Sequence, residues 1–178
     1  IAIAEYNTVI PKDDQNNVLV KPIDIIKIRR IVFDRMYDIV FKERLAKGKD
    51  NQFDLSNAHI ALVDDNKVNL RIEAALLKDF NVKIEAFTSG SAILKAYSLG
   101  RRYDIIFMDH MMPEVDGIET AKRIRNLPEN AGRTVKIIAL TANVIQGVEN
   151  EYIAAGMDDW LFKPVKQEQL KGMILKHL

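Results

Sequence analysis

Ile105-Ile106-Phe107-Met108-Asp109, four apolar residues running straight into a carboxylate, is the stretch on which the fold of this 178-residue chain turns. A short unbroken apolar run of this kind fits a strand buried on both faces, as in a parallel sheet. The pattern recurs on either side. Ile60-Ala61-Leu62-Val63 ends in Asp64-Asp65, Val135 and Ile137-Ile138-Ala139-Leu140 lead to Thr141, and Trp160-Leu161-Phe162 leads to Lys163-Pro164. Val82, Ile84 and Ala86 alternate as a further strand. Helical spacing fills the intervals. Residues 67–80 place Val68, Ile72, Ala75, Leu76 and Phe80 on one side, and a second helix runs from near Ser89 to a glycine stop at Gly100. Gly117 opens a third helix with Ile118, Ala121, Ile124 and Leu127 on one face. Residues 145–155 form a fourth, closed by Gly156, and residues 167–177 the last.

Five strands alternating with five helices predict an α/β fold, a doubly wound parallel sheet covered on both faces. In such sheets a site forms beyond the C-terminal strand ends, where the strand order reverses. Asp64-Asp65, Asp109, Thr141 and Lys163 all fall just after the ends of predicted strands one, three, four and five. Four polar clusters from distant sequence therefore converge on one sheet edge.

Residues 48–57, carrying Gly48, Lys49, Asp50, Asn51, Gln52, Asp54, Ser56 and Asn57, read as a linker, with the regular α/β pattern following at 58–178. Before the linker, residues 1–47 form a helix-rich appendage. Ile1-Ala2-Ile3-Ala4 and Val18-Leu19-Val20 have strand character, and residues 23–46 carry a helical stripe of Ile25, Ile28, Val32, Met36 and Ile39. That stripe is a packing face or, on the sharper reading, a dimer interface. Val18-Leu19-Val20-Lys21-Pro22 echoes Leu161-Phe162-Lys163-Pro164-Val165, each followed by a helix. Two readings stand: the C-terminal remnant of a degenerate copy of the later domain, or a connecting helix whose Lys-Pro is coincidence.

Composition narrows the function classes. Lys and Arg total 26 against 25 Asp and Glu, a net charge of +1, which gives no electrostatic reason to expect nucleic acid or an anionic membrane as partner. With no cysteine, disulfide frameworks and thiolate metal sites are excluded, and a cytoplasmic setting is expected. No apolar run approaches bilayer-spanning length. The chain begins with Ile1 rather than Met, so a larger parent protein, membrane-anchored or not, is expected.

Three carboxylates on adjacent loops repel one another, and a hard divalent cation relieves that repulsion. Mg²⁺ takes oxygen ligands, including one or two carboxylates, and keeps waters and phosphate oxygens. No His-x-x-x-His pair offers a zinc site. A carboxylate can attack phosphorus to form an aspartyl phosphate. Charge on the phosphoryl oxygens then calls for metal, a fixed ammonium and a hydroxyl donor. Asp65 and Asp109 can ligate the metal, Lys163 supplies the ammonium and Thr141 the hydroxyl.

Residues 57–178 resemble a receiver domain of two-component signalling, a CheY-like protein of the flavodoxin-like fold, whose strand order is 2-1-3-4-5. The matching motifs are Leu62-Val63-Asp64-Asp65-Asn66, Phe107-Met108-Asp109-His110-Met111-Met112-Pro113 with Asp116-Gly117, Ala139-Leu140-Thr141-Ala142, and Lys163-Pro164. Each is weak alone, but four in order at strand ends are specific. The Asp64-Asp65-Asn66 start with Asn69, and the Met-Met-Pro run, resemble receivers attached to hybrid sensor histidine kinases.

The resemblance implies that Asp109 is phosphorylated from a phosphohistidine on a kinase dimerisation domain or a histidine phosphotransfer domain. It implies that Asp65 ligates Mg²⁺ directly, Asp64 acts through water, and the Met111 backbone carbonyl completes the protein ligands. Thr141 would bond the phosphoryl group and report its arrival. Lys163 would pair with Asp109 beforehand and with phosphoryl oxygen afterwards, its bond to Pro164 being often cis. Trp160 falls where the family places a switching Tyr or Phe, and the bulkier indole puts the usual inward flip in question. Met111 and Asn143 occupy positions that tune hydrolysis. Met111 cannot orient a water by hydrogen bonding, which predicts a long-lived phosphoryl group.

Residue by residue, simpler readings compete. Asp64-Asp65 would serve as a helix cap, Asp109 as a turn residue, Lys163 as a solvated charge, and Trp160 as an edge aromatic. His110 reads as an exposed loop neighbour, and His59 and His177 carry no motif. The joint occurrence favours the phosphoacceptor. An aspartyl phosphatase of the haloacid-dehalogenase type needs a second Asp two residues after the nucleophile, where Met111 stands. A phosphorylation-independent interaction module suits the N-terminal segment, whose Lys21-Pro22 has no aspartate cluster. Nothing resembles a kinase ATP-binding core, a phosphotransfer histidine motif, a P-loop or a DNA-binding output.

Overall fold

A computed structural model describes residues 2–4, 18–20, 55–128, 135–142 and 148–178. The chain divides into two units, Ile1–Gln52 and Phe53–Leu178. In the first, strands β1 (Ala2–Ala4) and β2 (Val18–Val20) pair in parallel, with Ala2 opposite Val18 and Ala4 opposite Val20. The predicted helix at 23–46 and most of the linker lie outside the described residues.

The second unit alternates strand and helix. Its elements are β3 (His59–Val63), α1 (Lys67–Leu77) with a 3₁₀ turn over Lys78–Phe80, β4 (Lys83–Phe87), α2 (Gly90–Ser98), β5 (Ile105–Asp109), α3 (Gly117–Arg125), β6 (Lys136–Thr141), α4 (Val148–Ala154), β7 (Asp159–Phe162) and α5 (Gln167–His177). All pairings are parallel, and the sheet order is β4-β3-β5-β6-β7. Within this unit that is 2-1-3-4-5, the expected order. The reversal lies at β3 and β5, where chain connections leave in opposite directions and open a crevice.

Burial follows from that order. Every residue of β5 is buried, and β3 and β6 are buried except at their first residues. Their unbroken apolar runs reflect cover on both faces. On one face, Val63, Met108 and Ala139 join Ile93, Ala96, Ala121, Ile124 and Tyr152 from α2, α3 and α4. Each large side chain so buried contributes about 1.5–3 kcal/mol. Strand β4 at the edge is mostly open, only Phe87 being buried.

Helix α1 corrects the sequence reading. Three residues of the predicted apolar face turn outward, with Val68 59% and Ile72 52% exposed and Ala75 also in solvent, while Leu76 and Phe80 are half-buried. Leu70, Glu73 and Leu77 are buried instead. The misreading has a physical source: a buried carboxylic acid breaks the apolar count on the true inner face. The helix N-cap is also not Asp64 or Asp65 but Asn66, whose side chain accepts from the Val68 amide.

Two anchors set the other end of the sheet. Arg125, at the end of α3, donates to the carbonyls of Gly156 and Val135 at 2.7 Å and pairs with Asp158 at 2.5 Å. Asp159 pairs with Lys176 and His177 of α5, giving His177 a structural place. Among the described residues no helix is long and apolar enough to cross a membrane.

Candidate functional site

The C-terminal edge of the sheet gathers Asp64, Asp65, Asp109, Thr141 and Lys163. Asp109 and Thr141 are the last residues of β5 and β6 rather than the first beyond them. Lys163 follows β7 directly and its amide donates to the Thr141 carbonyl at 2.8 Å. Its peptide bond to Pro164 is cis, as expected.

Lys163 Nζ lies 2.9 Å from Asp109 Oδ1 and 2.5 Å from Asp64 Oδ2. The pairing with Asp109 is the one expected; the second contact, to Asp64, had no sequence signal. Burial opposes charging the ammonium, but bonds to both carboxylates outweigh it and raise its pKa. Asp64 is fully buried. Its oxygens also accept from the Asn66 amide at 2.7 Å and from Asn69 Nδ2 at 3.0 and 3.2 Å. Asn69, noticed in the sequence only as part of a motif, thus holds Asp64 in place. Asp65 is exposed. Asp109 is nearly buried, and burial raises its pKa against the pull of Lys163 and the Met111 amide.

Backbone packing fixes the Asp109 loop. The His110 amide donates to Leu140 O, and the Gly117 amide donates to His110 O, both at 3.0 Å. A Cβ on Gly117 would lie 2.2 Å from the Asp109 carbonyl oxygen, so only glycine permits this approach. Asp116 caps α3 by accepting from the Glu119 amide at 2.7 Å. Between them Glu114 adopts φ 64°, a conformation non-glycine residues rarely take.

The donor set suits a hard divalent ion. Carboxylate oxygens of Asp64, Asp65 and Asp109 lie within 4.8 Å of one another. Three carboxylates face one ammonium, leaving negative charge in excess, and all the donors are oxygens. Asp64 is engaged by Lys163, Asn66 and Asn69 and Asp109 by Lys163, which leaves exposed Asp65 the most open of the three carboxylates.

Around this core the remaining candidates separate. Met111 is 68% exposed. Trp160 is half-buried on β7, opposite Ala139, and packs against the core. Asn143 lies outside the described residues. His110, expected to be an exposed loop neighbour, is half-buried, with Nδ1 2.9 Å from the hydroxyl of buried Tyr152. The rings meet edge to face at 5.4 Å. Burial raises the pKa of the Tyr152 phenol, and the Thr141 side chain opposes that rise. Tyr152 carried no motif and His110 stood in one only as a neighbour of Asp109, and the fold brings the two together.

An open parallel sheet of this order, with an acidic cluster and a lysine at its C-terminal edge, defines a CheY-like fold. Comparison places it more narrowly. The chain belongs to the response regulator receiver domain family, whose model matches residues 60–175. It is a receiver domain of the two-component phosphorelay kind, and its curated relatives include histidine kinases, among them the hybrid signal transduction histidine kinase L of Dictyostelium discoideum. A probable histidine kinase 6 of Oryza sativa subsp. japonica is 34% identical over 176 residues, covering 86% of this chain but 18% of that protein. The crystal structure of the receiver domain of sensor histidine kinase PA1611 from Pseudomonas aeruginosa PAO1, with a magnesium ion in its active-site cleft, is 36% identical. It covers 68% of this chain and 97% of that one at TM-score 0.59. The receiver domain of Saccharomyces cerevisiae Ssk1, solved with the histidine phosphotransfer protein Ypd1, is 27% identical at TM-score 0.62, covering 68% and 88%.

Proposed function

We propose that residues 58–178 accept a phosphoryl group on Asp109 from a phosphohistidine, with Mg²⁺ bound by Asp65, Asp109 and the Met111 carbonyl, and through water by Asp64. The observation that carries this is Lys163 Nζ held between Asp109 and Asp64 at the edge of a three-carboxylate cluster. An Asp109 oxygen bonds to phosphorus as the P–N bond breaks, and the leaving imidazole nitrogen keeps the electron pair. Bound Mg²⁺ would offset charge on the phosphoryl oxygens. Lys163 then exchanges its contact with Asp109 for one with a phosphoryl oxygen, and Thr141 donates its hydroxyl. The readout falls on Thr141 and Trp160. Exposed Met111 offers no donor to position an attacking water, so the adduct is long-lived.

A helical phosphohistidine domain fits the surface beside the site. Val68 and Ile72 on α1 and Met111, two residues beyond Asp109, are exposed apolar side chains that a partner helix can bury. A structural relative, the Ssk1 receiver domain, was solved with the histidine phosphotransfer protein Ypd1, which supports a partner of that class. For residues 1–47, the parallel pair β1–β2 followed by Lys21-Pro22 supports the remnant of a preceding receiver-like domain. The rice kinase match, which extends upstream of the receiver, supports a hybrid kinase parent.

The test is incubation with Mg²⁺ and a small acyl phosphate donor, read by intact mass, with Asp109→Asn alongside. A single Mg²⁺-dependent phosphoryl adduct on the unaltered protein alone is expected. No adduct, or an equal adduct on Asp109→Asn, would overturn the assignment.

A further inference from the structure

Among the described side chains of α4, those of Asn150, Glu151, Ile153 and Ala154 lie open and that of Tyr152 alone is buried. One side chain therefore seats this short helix on the core. Its hydroxyl lies 2.9 Å from His110 Nδ1, and the two rings meet edge to face at 5.4 Å. A phenol hydroxyl and an imidazole nitrogen can each give or take the proton, so the pair holds whichever ring nitrogen of His110 is protonated. His110 also has a particular place in the chain. Asp109 precedes it, and Met111, whose carbonyl is proposed to hold Mg²⁺, follows it. The His110 amide donates to the Leu140 carbonyl and its carbonyl accepts from the Gly117 amide, both at 3.0 Å. Residue 110 is thus tied to β6 and to the start of α3 by its backbone, and to α4 by its side chain.

We propose that His110 and Tyr152 are positioning residues that couple the acceptor to α4. This rests on the phosphoacceptor reading above. An ion and a phosphoryl group engage the residues on both sides of His110, so the peptide between them shifts as the site fills. The imidazole carries that shift to Tyr152, because moving without it gives up a buried hydrogen bond. Helix α4 then follows, since no other described side chain of the helix is buried. The coupling is reciprocal: whatever steadies α4 also steadies residue 110 beside the acceptor.

Amide hydrogen exchange over residues 148–157 reads this coupling in the full chain. Tyr152→Phe and His110→Phe each keep an aromatic ring and delete one half of the bond. Exchange is followed by mass spectrometry with Mg²⁺ alone and with Mg²⁺ plus a small acyl phosphate, compared at equal adduct occupancy by intact mass. Without the adduct, each variant should exchange about fivefold faster in this segment, the equivalent of one buried hydrogen bond of ordinary net strength. In the unaltered protein the adduct should change exchange at α4. That adduct-induced change should shrink roughly twofold or more in each variant, and the double variant should lose no more than either single one. A pair that merely holds the fold together would leave the adduct-induced change at full size. A full-sized change in both variants, additive losses in the double variant, or an adduct without any change at α4 would each overturn the inference. No adduct on the unaltered protein would instead overturn the phosphoacceptor reading on which it stands.

Discussion

Glu73 is 2% exposed on the inner face of α1, with Oε2 lacking a hydrogen-bond partner, so methionine of similar length should stabilise the fold there. Burial pushes its carboxyl up from 4.5 to about 7, with nearby Lys163 opposing and Asp64 and Asp109 assisting. The raised value fixes the sign of the pH dependence. Below 4.5 both folded and unfolded chains hold the proton, and no penalty arises. From there to about 7 the unfolded chain releases a proton that the folded chain retains, so stability falls as pH rises. Above that the folded carboxyl ionises too, and the penalty levels off. At about 1.4 kcal/mol per pKa step, the loss between about pH 5 and pH 8 is roughly 2–3 kcal/mol. Glu73→Met removes it. Urea unfolding followed by circular dichroism, in chelator, should show the variant more stable than the parent at both pH values and by roughly 2–3 kcal/mol more at the higher one. A variant less stable at both, or one with the parent's full pH dependence, would refute the reasoning.

Gly117→Ala should cost about 1–3 kcal/mol in the same unfolding assay, because its methyl group meets the Asp109 carbonyl. It should also slow adduct formation roughly tenfold or more by displacing the acceptor. Arg125→Ala should lower stability by about 3–5 kcal/mol in urea, since it leaves Asp158 without its closest cation and two carbonyls without their donor. Ile72→Asp should leave labelling by a small acyl phosphate unchanged while slowing transfer from a phosphorylated histidine phosphotransfer protein at least tenfold, read as radiolabel transfer.

The strands were the most legible part of the chain. Buried parallel strands are apolar without interruption, so Ile105–Met108 and Ile137–Leu140 announced themselves, and polar residues at their ends marked the site edge. Helix α1 was misread because amphipathic counting assumes that apolar side chains turn inward and that the core holds no acids. Val68 and Ile72 violate the first assumption and Glu73 the second. Within the site, types and order gave Asp64, Asp65, Asp109, Thr141 and Lys163, yet not the contact between Lys163 and Asp64. Tyr152 and His110 stayed hidden for a different reason. They are 42 residues apart, and their meeting depends on how α4 packs beside β5 and β6, which local spacing does not encode.

Arg125 reaches the turn before β6 and the turn before β7 at once, and Asp158 also takes the Ile137 amide at 2.9 Å. These ties all lie at the end of the sheet opposite Asp109. Mechanically the domain resembles a cantilever, clamped at one end and loaded at the other. A small displacement at Asp109 would then find its compliance in the loop above β5, while the clamped end preserves strand register.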